Sequence, residues 1–411
     1  MVKREIELVR ELAKQLTEIA ELPQHEEKRA LWRALNGKRP VRPMVMVDQV
    51  CWNEINADDE LTLRCEDEAL REWESKLRRK LYQWKHFPVD MVVEDFIRVP
   101  KAVTGISDFG MVVKEHTNAT DDTNDVISHA YINQFASEED IEKIKKPVIV
   151  HNTAETDRRL ALADEIFNGI IDFRADIEDV YICVWDLITT WMGAEGVLYA
   201  LIEKPEMMYA MVKRMVGGYI TMLDQLEEQR LLTLPQATIH CTGAWTDDLP
   251  QKDHDPGRVI AKDLWMFGLA QIFGSISPAM FNEFEIEPMM PVYERFGLIY
   301  YGCCDPIHNR LNEVRKIPNL RKISVSPWAD KVKCAGEIGK DYVFSNKPNP
   351  AFLADTAFDE DLVRRDLIET KSLCEKYGCP LEIILKDVST VAYHPERLWR
   401  WAEIAMEVVQ G

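Results

Sequence analysis

The sequence predicts an α/β fold, a (β/α)₈ TIM barrel with an N-terminal helical extension. Short apolar runs, each followed by polar residues, alternate with amphipathic helical segments along most of the chain. The runs are continuously apolar, which is typical of parallel strands that helices cover on both faces. No G-x-G-x-x-G sequence follows the first run, so an open doubly wound sheet is the second choice.

Residues 1–40 are predicted to form the helical extension and residues 41–411 the barrel. In the first segment Val9, Leu12 and Leu16 recur at helical spacing with charges between them, and "NGKRPVRP" ends the pattern. About ten later runs are strand candidates, where eight would close a barrel, so one or two lie outside it. Polar residues concentrate at the carboxyl ends of these runs, where a barrel has its active-site mouth.

Composition limits the classes of partner. The chain has 411 residues and a formal net charge of −20, and no basic run stands out, so neither nucleic acid nor a membrane surface is expected as a partner. The N-terminus lacks the apolar core of a signal peptide, and no apolar run is long enough to cross a membrane. Nine scattered cysteines, an odd number, indicate reduced thiols and a cytoplasmic location rather than a disulfide framework.

Two clusters of potential ligands or catalytic groups stand at predicted strand ends. "IHCTG" carries His240, and "GLIYYGCCDPIHNRL" carries Cys303, Cys304 and Asp305, followed by His308. A barrel would bring both clusters to one rim. Thiolate, imidazole and carboxylate are the groups that bind zinc, so the clusters predict a metal or catalytic site. The alternative is a set of buried thiols without a chemical role, which is common for cysteine.

Other candidates stand at or near predicted strand ends. Lys386, in "EIILKDVST", could bind an anion or orient a substrate, and Asp186, in "VYICVWDLI", is a further catalytic candidate. Aromatic rings at a barrel mouth suit a flat substrate, with core packing as the alternative role. The predicted substrate-binding residues are Trp52, His151, Trp185, Gln271 and Trp328.

The block "DLWMFGLAQIFGSISPAMFNEFEIEPMMPVYERFGLIYYGCCDPIHNRLNEVRKIPNLRKISVSPWAD" resembles the uroporphyrinogen decarboxylase-like superfamily. More narrowly, it is similar to the branch of corrinoid-dependent methyltransferases that takes part in the metabolism of anaerobes. The resemblance runs from about residue 40 to the C-terminus and includes "KPEMMYAMVKRM" and "LKDVSTV". The arginine-rich motif of the true decarboxylases is absent from "KRPVRPMVMVDQVCWNEI", so decarboxylation of a porphyrinogen is not expected.

The resemblance also implies zinc. The thiol methyltransferases of this group use His-x-Cys followed by Gly, but "IHCTG" has Thr242 at the cysteine position. Aryl ether-cleaving members use Glu…Glu…His, and only the last two positions have counterparts, because the first falls near Gln271. The predicted metal ligands are therefore a mixed set, His240, Glu287, Cys304 and His308.

The function that the resemblance implies is methyl transfer of the O-demethylase type. A methyl group would move from a small methylated substrate, an aromatic methyl ether being favoured, to the cobalt of a corrinoid supplied by a partner protein. Zinc or a general acid must then take up charge on the leaving oxygen. Two alternatives stay open: transfer from methyl-corrinoid to a thiol or folate, and a barrel that binds corrinoid or metal without catalysis. The predicted catalytic residues are Asp186, Asp305, His308 and Lys386.

Overall fold

A computed structural model of the chain describes residues 2–119, 127–177 and 180–411. Six parallel strands form the main sheet, and the eight other strands of the described residues pair two by two. The strands are β1 (Met44–Val47), β2 (Phe96–Pro100), β3 (Val103–Thr104), β4 (Glu115–Asn118), β5 (Ser128–Tyr131), β6 (Val150–His151), β7 (Asp172–Asp176), β8 (Thr238–Ile239), β9 (Thr242–Gly243), β10 (Trp265–Gly268), β11 (Leu298–Tyr301), β12 (Leu320–Val325), β13 (Val343–Asn346) and β14 (Leu381–Leu385). The spatial order of the main sheet is β1–β14–β13–β12–β11–β10.

Helices that follow strands of the main sheet pack on its outer face. The described residues contain fourteen α-helices. They are α1 (Val2–Ala20), α2 (Gln24–Asn36), α3 (Glu68–His86), α4 (Thr153–Phe167), α5 (Val184–Met192), α6 (Ala194–Glu203), α7 (Pro205–Glu228), α8 (Pro278–Phe281), α9 (Glu287–Tyr293), α10 (Leu311–Val314), α11 (Lys331–Ile338), α12 (Ala351–Ala354), α13 (Glu360–Tyr377) and α14 (Glu396–Gln410). In the part of the chain described, none of them combines the length and apolar character that crossing a membrane requires.

Local sequence signals explain where the helices begin and end. The Asp359 side chain accepts a hydrogen bond from the Leu362 N–H and so caps the start of α13. The helix ends at Gly378, whose φ of +70° is the left-handed conformation that glycine adopts without a steric penalty. Because Pro380 follows, the chain leaves the helix and enters β14 within three residues.

Each strand of the main sheet has an inner and an outer face. Along β14, Ile383 and Leu385 join the large apolar core under the helices, whereas Glu382 and Lys386 point to the opposite side. We call the side that carries Glu382 and Lys386 the inner face. Its apolar lining is a separate cluster that includes Phe267, Tyr300 and Cys303.

The predicted barrel is present in part. The six parallel strands and the helices that follow them agree with the prediction, but β2 pairs only with β7, and no hydrogen bond among the described residues joins that pair to the main sheet. The expected strand at "VYICVWDLI" was wrong, because Val184 begins α5. A short apolar run has the same composition in a buried helix as in a buried strand, so periodicity could not distinguish them.

Helix α2 covers the amino-terminal end of the inner face. Trp32 is fully buried and donates a hydrogen bond from Nε1 to the Asp90 carbonyl oxygen at 3.0 Å. Its ring packs with Met44 and Val343, which begin β1 and β13. The predicted helices of the N-terminal segment therefore contact the strands directly, while the division into extension and barrel domain stays a prediction.

The contact between Trp32 and Gly243 predicts a stability change. A Cβ at Gly243 would lie 2.4 Å from the Trp32 ring, so Gly243→Ala should destabilise the protein by about 1–3 kcal/mol through overpacking. The matched control is Gly217→Ala in α7, where a Cβ meets nothing within 4 Å and alanine should stabilise by about 0.5–1 kcal/mol. Urea unfolding of both variants measures the difference, and equal midpoints would contradict the packing argument.

Candidate active site at the carboxyl ends of the strands

Four side chains converge at the carboxyl ends of β8, β11 and β14. Cys303 Sγ lies 3.2 Å from Lys386 Nζ, 3.5 Å from His240 Nε2 and 3.5 Å from Cys304 Sγ. The second contact of Lys386 Nζ is His240 Nε2, at 3.3 Å. β11 and β14 are parallel strands of the main sheet, so their carboxyl ends lie at one edge, and the turn between β8 and β9 brings His240 to the same place. We call His240, Cys303, Cys304 and Lys386 the thiol cluster.

Opposite charges in the thiol cluster stabilise each other. A hydrogen bond from Cys304, a hydrogen bond from His240 and the positive charge of Lys386 lower the pKa of Cys303 to about 4. Burial alone would raise this pKa. Burial alone would lower the pKa of Lys386, but the two sulfurs and Asp387 raise it. Burial lowers the pKa of His240. At neutral pH the cluster therefore holds a Cys303 thiolate against a Lys386 ammonium, with a neutral imidazole beside them.

The backbone around this cluster is strained. His240 and Cys241 have φ of +37° and +68°, and Asp387 has φ of +56°. Non-glycine residues in this region cost about 1–3 kcal/mol each and are concentrated at functional sites. The turn between β8 and β9 places the His240 ring on Phe267, with 3.7 Å between the ring centroids, which fixes its orientation.

A cavity of about 540 Å³ lies beside the thiol cluster. Its lining includes one carboxyl, Asp186, two cations, Lys101 and Arg159, and the Cys183 thiol. The apolar or aromatic side chains of the lining include Ile106, Ile177, Tyr181, Leu187 and Tyr219. None of the four thiol-cluster residues lines the cavity, but Cys183 belongs to the apolar cluster that contains Cys303, and this cluster connects the two places. A cavity of this volume and character accommodates a single-ring aromatic molecule.

Asp186 is the acidic group of this cavity. Burial raises the pKa of its carboxyl, hydrogen bonds from Cys183 and Gln271 oppose the increase, and the negative charge of Cys303 adds to it. Gln271 Nε2 lies 3.4 Å from Asp186 Oδ2. The structure therefore brings the predicted residues Asp186 and Gln271 together, beside the cluster that holds the predicted His240, Cys304 and Lys386.

The two other predicted catalytic residues lie apart from this cavity. Asp305 is buried in an ion pair with Arg310 at 2.6 Å, which also donates to the Pro306 carbonyl oxygen and so supports the turn after β11. His308 accepts a hydrogen bond from the Asp330 N–H through Nδ1. Asp305 Oδ1 also accepts a hydrogen bond from the Cys303 backbone N–H at 3.5 Å, so Asp305 helps to hold the turn that carries Cys303. His308 has no hydrogen bond to the thiol cluster among the described residues.

The predicted zinc ligands do not converge. Glu287 is exposed at the start of α9, where the Asn282 side chain donates to it, and His308 contacts Asp330. Lys386 Nζ lies within 3.3 Å of both Cys303 Sγ and His240 Nε2, so an ion bound by those atoms would require the lysine to move. Among the described residues, no group of three or more His, Cys, Asp or Glu side chains has a metal-binding arrangement. Zinc binding stays a prediction.

The predicted aromatic contacts also lie away from the thiol cluster. Trp52 packs against Tyr82 of α3, with 6.1 Å between ring centroids, and Trp328 is 65% exposed. Trp185 is fully buried against Phe273, and its Nε1 has no hydrogen-bond partner. His151 bonds Thr156 in the region of β6. The aromatic lining of the cavity comes instead from Tyr181 and Tyr219.

Cys303, which the sequence offered beside Cys304 as a possible ligand, is the cysteine that contacts both His240 and Lys386. Cys183 and Tyr181, which line the cavity, were not among the predicted site residues. Adjacent side chains of an extended segment point to opposite sides, so only one of the two cysteines faces the site. Which one it is depends on the register of β11, and the sequence does not give that register. Tyr181 and Cys183 precede α5, in a segment that was expected to be a strand.

The Cys303 thiolate gives a spectroscopic prediction. At a pH of about 6, well below the ordinary thiol pKa of about 8.5, wild-type protein should show thiolate ultraviolet absorbance that Cys303→Ala lacks. Lys386→Met should move the onset of this absorbance to higher pH, because the ammonium stabilises the thiolate. Cys379, whose pKa is lowered by Cys374, provides the control: Cys379→Ala should keep the Cys303 signal. Identical spectra for wild type and Cys303→Ala would contradict the assignment.

The fold and site together define an α/β protein with a buried thiolate–ammonium pair and a cavity that is lined by the Asp186 carboxyl and by Lys101 and Arg159. No family model matches the chain, and no curated protein matches it. Among solved structures, it is similar to a methyltransferase from Methanosarcina mazei, at 13% sequence identity and a TM-score of 0.49, over 92% of this chain and 97% of that one. A similarity of this extent carries no argument about chemistry, so the function is argued from the site.

Proposed function

We propose that this chain is a methyltransferase that moves a methyl group from an aromatic methyl ether to the cobalt of a corrinoid held by a partner protein. The observation that carries the proposal is the cavity in which the Asp186 carboxyl lies beside the thiol cluster. Ether cleavage requires a proton for the leaving oxygen, since an unprotonated phenolate or alkoxide leaves poorly near neutral pH.

Asp186 supplies that proton in this mechanism. A corrinoid supplied by the partner would provide the nucleophile that accepts the methyl group. The electron pair of the broken carbon–oxygen bond stays on the phenol oxygen, which takes the Asp186 proton. Burial favours the protonated carboxyl before the reaction. Gln271, whose Nε2 faces Asp186 Oδ2, helps to accommodate the carboxylate that remains afterwards.

The thiol cluster contributes electrostatically. The negative charge of Cys303 raises the pKa of Asp186 and so helps to keep the acid protonated. Lys386 and His240 hold that charge in place. Cys303 is therefore a positioning residue in this proposal, and its replacement should shift the pH dependence of the reaction to lower pH.

The remaining parts of the proposal concern architecture and partners. We propose that β2 and β7 complete a closed barrel with the main sheet and that the corrinoid protein docks over the carboxyl ends of the strands. The cobalt has to reach the methyl group, and the cavity lies at that edge. A cytoplasmic location agrees with the reduced state of the described cysteines, all of which are free thiols.

The test is methyl transfer to free cob(I)alamin under anaerobic conditions, with a panel of methoxybenzenes as donors. Formation of methylcob(III)alamin, followed by its absorbance, together with release of the matching phenol would support the proposal. Asp186→Asn provides the site-specific control. Absence of both products from folded protein, with added zinc and without it, would overturn the proposal.

A second candidate is transfer from a methyl-corrinoid to a thiol. The Lys386–Cys303 pair favours it, because an ammonium that stabilises one thiolate can stabilise that of a substrate. Loss of the methyl group from methylcob(III)alamin in the presence of a small thiol, without activity toward methoxybenzenes, would select this direction.

A further inference from the structure

Two cysteines lie where α13 ends, five positions apart in the sequence. Cys374 belongs to the last turn of the helix, and Cys379 follows Gly378 shortly before β14 begins. Both are free thiols, and both side chains are buried. They belong neither to the thiol cluster nor to the lining of the Asp186 cavity, so the proposed mechanism does not use them.

The cap of the helix brings these two cysteines together. The Cys379 N–H donates a hydrogen bond to the Cys374 carbonyl oxygen at 2.9 Å, and the Gly378 N–H donates to the Glu375 carbonyl oxygen at 3.2 Å. With Gly378 in the left-handed conformation, these two bonds define a Schellman motif. The side chains at the positions of Cys374 and Cys379 usually form an apolar contact in this motif, and here both are thiols.

The two sulfur atoms are in contact. The Cys374 thiol donates a hydrogen bond to the Cys379 sulfur. A disulfide requires Cα atoms about 4.4–6.8 Å apart. By standard backbone dimensions, the bond from the Cys379 N–H keeps these two Cα atoms within about 7 Å. Cys379 Sγ also lies 3.3 Å from the Ala335 carbonyl oxygen of α11, which holds the side chain in place. A bridge between the two sulfurs therefore needs no large movement of the backbone.

The two thiols differ in reactivity. The hydrogen bond from Cys374 lowers the pKa of Cys379, burial opposes this effect, and the Gly339 N–H adds to it. Cys379 is 8% exposed, whereas Cys374 is 1% exposed. The thiolate is the form that a peroxide oxidises. Cys379 is therefore the cysteine that is oxidised first, and Cys374 is the neighbouring thiol that completes the disulfide.

We infer that Cys374 and Cys379 are a modification site, at which hydrogen peroxide forms a reversible disulfide between α13 and the start of β14. The Cys379 thiolate attacks the peroxide, the O–O bond breaks, and a sulfenic acid and hydroxide result. The Cys374 sulfur then attacks the sulfenic sulfur, so that the S–S bond forms, the S–O bond breaks and water leaves with the Cys374 proton. Two molecules of a small thiol reverse the reaction by exchange and are oxidised to their own disulfide.

Trypsin provides the test, because Lys376 lies between the two cysteines. Cleavage after Lys371, Lys376 and Lys386 places Cys374 in the peptide 372–376 and Cys379 in the peptide 377–386. Folded protein is treated with hydrogen peroxide, its remaining thiols are alkylated, and the digest is analysed by mass spectrometry. We expect the two peptides to be joined in one species that dithiothreitol separates, and to be separate in protein that was kept reduced.

Variants distinguish the roles of the two cysteines. Cys374→Ala and Cys379→Ala should each lack the joined species. Dimedone, which reacts with sulfenic acids, should label Cys379 in Cys374→Ala about 10-fold or more above Cys374 in Cys379→Ala, because the thiolate is the reactive form. The matched control is Cys334→Ala, which removes a fully buried cysteine of α11 and should keep the joined species.

Three results would overturn the inference. They are separate peptides after treatment that oxidises other cysteines of the same sample, a joined species that forms only in urea, and a bridge from Cys379 to the peptide 334–340, which carries Cys334. The digest of wild-type protein decides between these results and the expected one even if a variant does not fold. Since the measurement needs no corrinoid and no methyl donor, it is independent of the proposed function.

Discussion

Replacing Asp186 with asparagine should slow methyl transfer from methoxybenzenes by about 10²- to 10⁴-fold, the usual contribution of a positioned general acid. Asparagine keeps the size of the side chain and its contact with Gln271, but it has no proton of suitable acidity to give. The measurement is the rate of methylcob(III)alamin formation at saturating cob(I)alamin, for wild type and variant.

The pH profile separates proton donation from a structural effect. Burial raises the pKa of Asp186, and only its protonated form can donate, so the wild-type rate should fall as pH increases through that pKa. Asp186→Asn should lack this decline. A methyl ether of nitrophenol, whose phenolate is a weaker base, should lose much less rate in the variant. An equal loss with all donors would indicate damage to the cavity rather than loss of an acid.

Asp305→Asn is the informative comparison, because Asp305 was predicted from sequence as an equivalent candidate. Its carboxylate is paired with Arg310, and both side chains are buried. We expect this variant to unfold at lower urea concentration while each folded molecule keeps most of its activity. A loss of activity as large as that of Asp186→Asn in stable protein would return Asp305 to the mechanism.

The sequence was most informative where the strands are continuously apolar. Long runs before Cys303 and Lys386 predicted two strands of the main sheet, and each residue lies at a strand end as expected. These positions depend on local pattern and on the general rule that parallel strands present their carboxyl ends together. The meeting of His240, Cys304 and Lys386 could therefore be expected before any coordinates.

The sequence could not show which candidate side chains meet in space, because this depends on strand register and on the direction in which each side chain points. Glu287 has a suitable spacing to His308, but the helix that it begins lies on the outer face and exposes it. Spacing along a chain gives no information about which face a helix presents to its neighbours. The contact between Cys303 and Lys386 depends on the long-range register of the main sheet, in which β11 and β14 are not neighbours.

Lys322→Met should destabilise the fold by about 3–5 kcal/mol, the usual cost of removing one partner from a buried ion pair. Lys322 and Glu382 are both fully buried on the inner face, 2.7 Å apart. Lys322 also donates to Thr242 Oγ1 and the Gly243 carbonyl oxygen, and its ammonium lies 5.4 Å from the Trp32 ring. In Lys322→Met, the Glu382 carboxylate keeps one hydrogen bond, which Thr242 donates to Oε2. Its Oε1 has no hydrogen-bond partner.

The double variant Lys322→Met/Glu382→Gln tests that reasoning. If the cost of the single change comes mainly from an uncompensated charge, removing that charge as well should recover a large part of it. The exposed pair Lys14–Glu11 is the control, and Lys14→Met should change the free energy of unfolding by about 1 kcal/mol or less. Urea unfolding of wild type, Lys322→Met, the double variant and the control variant measures the free energy of unfolding of each. A double variant as unstable as Lys322→Met would show that the lost contacts with Thr242, Gly243 and Trp32, rather than the charge on Glu382, dominate. In that case Lys322 links the turn after β8 to the sheet chiefly through hydrogen bonds, and that turn is the one that positions His240 in the thiol cluster.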